Sequence, residues 1–129
     1  MPTKIETARN PNTSPAILAI LAQEEDYYIK KKVAQNPNTS PETLALLAKD
    51  EDWLIKLHVA LNPNVYPETL DFLATDEDFN IKCVVAGNPK TFLNTLVVLL
   101  KDKSLAIRKI ALDNPNLPNE YKMLYLMEK

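Results

Sequence analysis

The sequence predicts an all-α fold, a solenoid of 26-residue units with two helices each. Three observations predict it. Asn-Pro occurs at Asn10-Pro11, Asn36-Pro37, Asn62-Pro63, Asn88-Pro89 and Asn114-Pro115, each 26 residues after the last. A fixed period between about 20 and 50 residues is the signature of stacked arrays. Apolar columns keep the same phase: Leu18, Leu44, Leu70 and Leu96; Leu21, Leu47, Leu73 and Leu99; Ile29, Ile55, Ile81 and Ile107. Strand-like alternation is absent, whereas helix starts and stops recur in every unit.

The unit from Asn36 to Leu61 serves as the model. Asn36 precedes proline and is driven to extended backbone, so no helix crosses it. Ser40-Pro41-Glu42 then reads as a helix start: serine caps, proline is pre-set for the first helical position, and glutamate suits the positive end of the helix. The first helix of the unit, helix A, is expected from Pro41 to about Ala48, with Leu44, Leu47 and Ala48 on one face. Asp50-Glu51-Asp52 forms the turn. Asp52 should cap the second helix, helix B, from about Trp53 to Leu61, with Ile55 and Val59 facing the core. Asp26, Asp78 and Ser104 are the equivalent caps.

Helices of two to three turns are marginal alone, so neighbouring units must cover each other's apolar faces. The expected layout is a single helical-repeat domain over 1–129. It has a half-unit at 1–9, units at 10–35, 36–61, 62–87 and 88–113, and a terminal half-unit at 114–129, whose helix A runs from Asn119 to Lys129.

Val33-Ala34-Gln35-Asn36-Pro37-Asn38-Thr39-Ser40-Pro41, then Leu44, Leu47-Ala48 and the acidic turn, resembles the leucine-rich repeat variant family. The Ile55-Lys56 pair stands where that family has Val-Arg, and the likeness extends from Ala8 to about Pro118. The resemblance implies a right-handed superhelix like armadillo and HEAT arrays, with one helix of each pair often 3₁₀. It implies no catalytic residues. One family member carries an iron–sulfur cluster on a cysteine-rich segment, which this sequence lacks. Two departures stand out. The unit is slightly longer than usual, with Thr-Ser-Pro for Thr-Pro, and Lys90-Thr-Phe-Leu-Asn94 lacks the helix-starting proline.

Composition narrows the function. The 129 residues carry a net charge of −2, which gives no global footprint for nucleic acid or an anionic membrane. Cys83 is the single cysteine, so no intramolecular disulfide or multi-thiolate cluster can form, and the single Gly87 rules out a glycine-rich phosphate loop. Met1-Pro-Thr-Lys-Ile-Glu lacks the apolar core of a signal peptide, and no apolar run could span a bilayer, so a cytoplasmic location is expected. The acidic turns lack the glycine and distant glutamate of a calcium loop; helix capping explains them, and no metal or cofactor is expected.

Four constellations remain. The basic column Lys30, Lys56, Lys82 and Arg108 borders the packed face. Each lysine follows an acid at i−4, Asp26, Asp52 or Asp78, and stacking should line these pairs into a charge ladder. Buried stems with satisfied heads are the structural expectation. The nucleic-acid alternative uses Lys30, Lys31, Lys32, Lys56, Lys82, Arg108 and Lys109. Two apolar columns, Tyr27, Trp53, Phe79 and Leu105, and Ile20, Leu46, Phe72 and Val98, are assigned to packing between units; if exposed, the second would be a stripe of the kind that marks partner sites. His58 should be partly exposed, and Cys83, whose column tolerates lysine, should lie near the surface. The junction asparagines Asn10, Asn36, Asn62, Asn88 and Asn114 are read as structural, their amides bonding backbone groups left open at the helix ends.

Function must then lie where the units differ. On the outer side of helix B these positions are Tyr28, Leu54, Asn80 and Ala106, with Lys31, Leu57, His58, Cys83 and Lys109 beside them. The expected role is a non-enzymatic protein-interaction module of the scaffold or adaptor kind. A structural or self-associating repeat without ligand is the other alternative.

Overall fold

A computed structural model describes residues 1–127. Among them are ten helices and no strand: α1 (Lys4–Arg9), α2 (Pro15–Leu21), α3 (Tyr27–Gln35), α4 (Pro41–Leu47), α5 (Trp53–Leu61), α6 (Pro67–Leu73), α7 (Phe79–Gly87), α8 (Leu93–Leu99), α9 (Leu105–Leu112) and α10 (Asn119–Met127). Helix A of the expected unit is α4 and helix B is α5. Helix A closes one residue earlier than expected, because Ala48 is its C-cap. The final helix was expected to reach Lys129; its last two positions lie outside the described residues. The resemblance implies a frequent 3₁₀ helix in each pair, but every described helix is α. None is long and apolar enough to cross a membrane.

The caps follow local chemistry. Ser40 Oγ accepts from Thr43 N at 3.2 Å, while Asp52 Oδ1 accepts from Leu54 N at 2.8 Å. Asp26 and Asp78 act in the same way on α3 and α7. Thr3 and Glu6 form a reciprocal capping box on α1. Tyr66 and Phe92 occupy the cap position of α6 and α8 without a side-chain bond to the helix start.

The helices α1, α3, α5, α7 and α9 pack in chain order, each against the next. Each even-numbered helix from α2 to α8 leans on the helix B that follows it. Contacts between successive helix A members are sparse; one is Thr95 Oγ1 donating to Asp71 Oδ1 at 2.6 Å. The core is built from the expected columns. Leu18, Leu44, Leu70 and Leu96 are fully buried, and so are Val33, Val59, Val85 and Ala111 at equivalent places on helix B. Each such leucine contributes about 2 kcal/mol of burial, which is what lets seven-residue helices persist.

Candidate functional site

The recurring polar residues are consumed by the fold. Asn36 Nδ2 donates to Ala8 O at 2.8 Å and Asn10 O at 2.9 Å, while its Oδ1 accepts from Asn38 N at 2.8 Å. Asn62 repeats this on Ala34 O, Asn36 O and Asn64 N, and Asn114 on Ala86 O, Asn88 O and Asn116 N. Each amide therefore satisfies carbonyls left open at the end of the preceding helix B. Asn88 keeps only one such donation, 3.1 Å to Ala60 O. Asn10 Oδ1 accepts from Asn12 N at 2.9 Å.

Two further columns do similar work and escaped the sequence reading. Asn38 Nδ2 donates to Thr13 O at 2.7 Å, Asn64 to Thr39 O at 3.0 Å and Asn116 to Thr91 O at 3.0 Å; Lys90 fills the same position and reaches Pro63 O. Thr13, Thr39 and Thr91 each donate a hydroxyl at 2.6 Å to the carbonyl six residues earlier. Val65 and Leu117 replace threonine in that column and are buried. Their 26-residue phase was the available signal.

The charge ladder exists, but with different partners from those expected. Asp26, Asp52 and Asp78 spend a carboxylate oxygen on helix caps. The lysines instead cross to the acidic turn of the next unit: Lys30 to Asp50 at 3.0 Å, Lys56 to Asp76 at 2.9 Å and Lys82 to Asp102 at 3.1 Å. Arg108 takes another route, donating to Asp102 O and to the Tyr125 hydroxyl. All three aspartates titrate below the ordinary carboxylate value. Burial pushes Asp50 upward but is outweighed by the Asp52 N–H and Lys30; the Lys56 hydrogen bond leads for Asp76, and the Ser104 N–H leads for Asp102.

Helix B presents a mixed surface. Tyr28, Asn80, Ala106 and Lys109 are exposed. Lys31, Leu54, Leu57, His58 and Cys83 are half-buried, with Leu57 and Cys83 packed against the core. Cys83 was expected near the surface; burial there pushes its thiol up, with Asp102 adding to the effect. The Lys31 ammonium lies 5.9 Å above the Tyr27 ring, and Tyr27 meets Tyr28 edge to face. His58 Nε2 faces the Gln35 amide at 3.2 Å, and burial, then Lys31 and Lys32, lowers its pKa. Among the described residues no set of His, Cys, Asp and Glu is grouped to hold a metal.

Both apolar columns assigned to packing between units are corrected. Trp53, Phe79 and Leu105 stand about half exposed, and only Tyr27 packs against the core. The larger departure is on helix A. Ile20, Leu46, Phe72 and Val98 are 61%, 66%, 49% and 66% exposed. Two residues beyond a core leucine lies about 200° around the helix, so these side chains sit at the solvent pole, where the sparse helix A contacts leave them uncovered. One open depression joins Val98 to Lys82, Lys101, Lys103 and the preceding unit's Glu77.

Residues 29–89 match the family model described as Leucine Rich Repeat Variant domain. No curated protein and no solved structure matches the chain.

Proposed function

Since residues 29–89 are a leucine-rich repeat variant domain, we propose that the chain is a non-enzymatic protein-interaction module, a scaffold or adaptor built as a right-handed solenoid of 26-residue units. Asparagine bonds recurring at separations of 26 and 28 residues support the stacking unit. On this reading the units are 10–35, 36–61, 62–87 and 88–113, with half-units at 1–9 and 114–129, in one domain. We place it in the cytoplasm, where the lone Cys83 thiol stays reduced.

The carrying observation is the uncovered column Ile20, Leu46, Phe72 and Val98. Apolar side chains at four equivalent solvent poles do nothing for the core, and exposed apolar patches mark partner sites. The helix B surface around Tyr28 and Leu54 is the second candidate, supported by the exposed Tyr28 ring. The nucleic-acid reading loses its main support, because Lys30, Lys56 and Lys82 are neutralised by Asp50, Asp76 and Asp102.

The test is affinity capture from native extract, comparing the parent chain with Leu46→Gln/Val98→Gln and with Tyr28→Ser/Leu54→Ser. A protein retained by the parent and lost from the first variant is the expected result. Identical profiles for all three chains would contradict an interaction role for either surface.

A further inference from the structure

We propose that the helix A pole centred on Leu46 and Phe72 docks a basic amphipathic helix of a partner protein; this rests on the interaction-module reading. The apolar contribution is the stripe itself. The choice of occupant comes from charge. Glu42 and Glu68 stand four residues before Leu46 and Phe72, on the same side of their helices. Asp71 adjoins Phe72, and the exposed turn acid Glu51 stands where Glu77 stands relative to Val98. Among the described residues no ion pair involves Glu42, Glu51, Glu68 or Asp71. Lys49 is the one exposed cation in this central stretch of helix A and turn residues, whereas Lys101 and Lys103 flank the Val98 end.

A second copy of the chain is a poor occupant. A two-fold contact would set this acidic stretch against itself, and like charges facing each other across an interface are penalised. An anionic lipid surface meets the same repulsion. A helix whose apolar side meets the stripe while lysine and arginine flank it satisfies both features, which is the helix-in-groove mode. Successive helix A members follow one another along the array, with Thr95 of α8 reaching Asp71 of α6 at 2.6 Å. Apolar residues along one face of the docked helix would meet Leu46 and Phe72 in turn.

The probe is a fluorescent, roughly 20-residue Lys/Leu amphipathic helix, long enough to cover two units at 1.5 Å per residue. Its Glu/Leu counterpart carries the same apolar face. Anisotropy titration with the 129-residue chain should show saturable binding of the Lys/Leu peptide, at least about tenfold tighter than the Glu/Leu peptide. Leu46→Gln/Val98→Gln should weaken it about tenfold, and Glu42→Gln/Glu68→Gln should weaken it several-fold and flatten its salt dependence. Equal affinity for both peptides, or unchanged affinity in both variants, would overturn the proposal. Loss of binding only in Tyr28→Ser/Leu54→Ser would move the site to helix B, and a parent dimer dissociated by Leu46→Gln would assign the stripe to a second copy; either result overturns it. If no peptide binds while extract capture still depends on Leu46, the partner chemistry is wrong and the module reading stands. If both fail, the module reading fails too. Thermal melts of each variant separate lost binding from lost folding.

Discussion

The second junction, Asn36 to Ser40, and the fourth, Asn88 to Phe92, hold the same turn with different means. The second has a buried asparagine making two amide donations, an Asn38 reaching back to Thr13, a serine cap and a proline at the first helical position. In the fourth, Asn88 is half-buried with one donation, Lys90 replaces the second asparagine, Phe92 caps nothing and Leu93 replaces proline. Yet α4 and α8 each have seven residues. Common to both junctions are the asparagine bond to a helix-end carbonyl and the threonine hydroxyl bond to the carbonyl six residues back. Cap and proline therefore tune the helix start, while packing of the buried leucines decides that the helix forms.

The largest expected effect breaks this comparison at its common part. Asn62→Ala should cost about 2–3 kcal/mol, since it orphans buried carbonyls. Asn88→Ala should cost about 1 kcal/mol, since it loses a single long donation to Ala60 O and the exposed bond from Lys90 N at a half-buried site. Denaturant unfolding of both variants checks the order; equal losses would mean that burial and bond number do not set the cost.

The ladder comes next. The Lys82–Asp102 side chains are 12% and 10% exposed, whereas Lys4–Glu24 are 63% and 36% exposed. Lys82→Met should cost about 2 kcal/mol and Lys4→Met less than about 0.5 kcal/mol in the same unfolding assay. The ladder also predicts a pH response. Asp50, Asp76 and Asp102 titrate lower when folded than their ordinary value of about 3.9. The unfolded chain thus binds protons first as pH falls. The contribution of the ladder is fully present above about pH 5, and is lost as pH falls through 3.9 toward the folded values. Urea midpoints at pH 7 and pH 3 should differ less for Lys82→Met than for the parent.

The smallest effect repairs the irregular junction. Phe92→Ser restores the missing cap and should stabilise the chain by about 1 kcal/mol or less, read as a higher melting temperature. No gain would mean that the backbone at Phe92 does not present a hydroxyl to the N–H of Thr95.

Much of the fold was legible because its determinants are local. Ser40 and Asp52 announce helix starts within a few residues, and the leucine, isoleucine and valine columns carry the core at a fixed phase. The ladder was misassigned because its pairing spans 20 residues across stacked units, whereas the nearer acids, Asp26, Asp52 and Asp78, satisfied the local rule while serving as caps. Leu46 and its equivalents were placed in the core because apolarity does not say which neighbour covers a side chain. Sparse contact between successive helix A members leaves them open. Nothing in a single unit marks Asn38 as a donor to Thr13 of the unit before.

The central claim is that the recurring asparagines hold the stack while the apolar helix A pole contributes nothing to it. A single unfolding comparison of Asn36→Ala/Asn62→Ala with Leu46→Gln/Val98→Gln tests this most directly. The account predicts a loss of at least about 3 kcal/mol for the asparagine pair and a change within about 0.5 kcal/mol for the apolar pair. An apolar pair that loses as much as the asparagine pair would contradict it, because the stripe would then belong to the core.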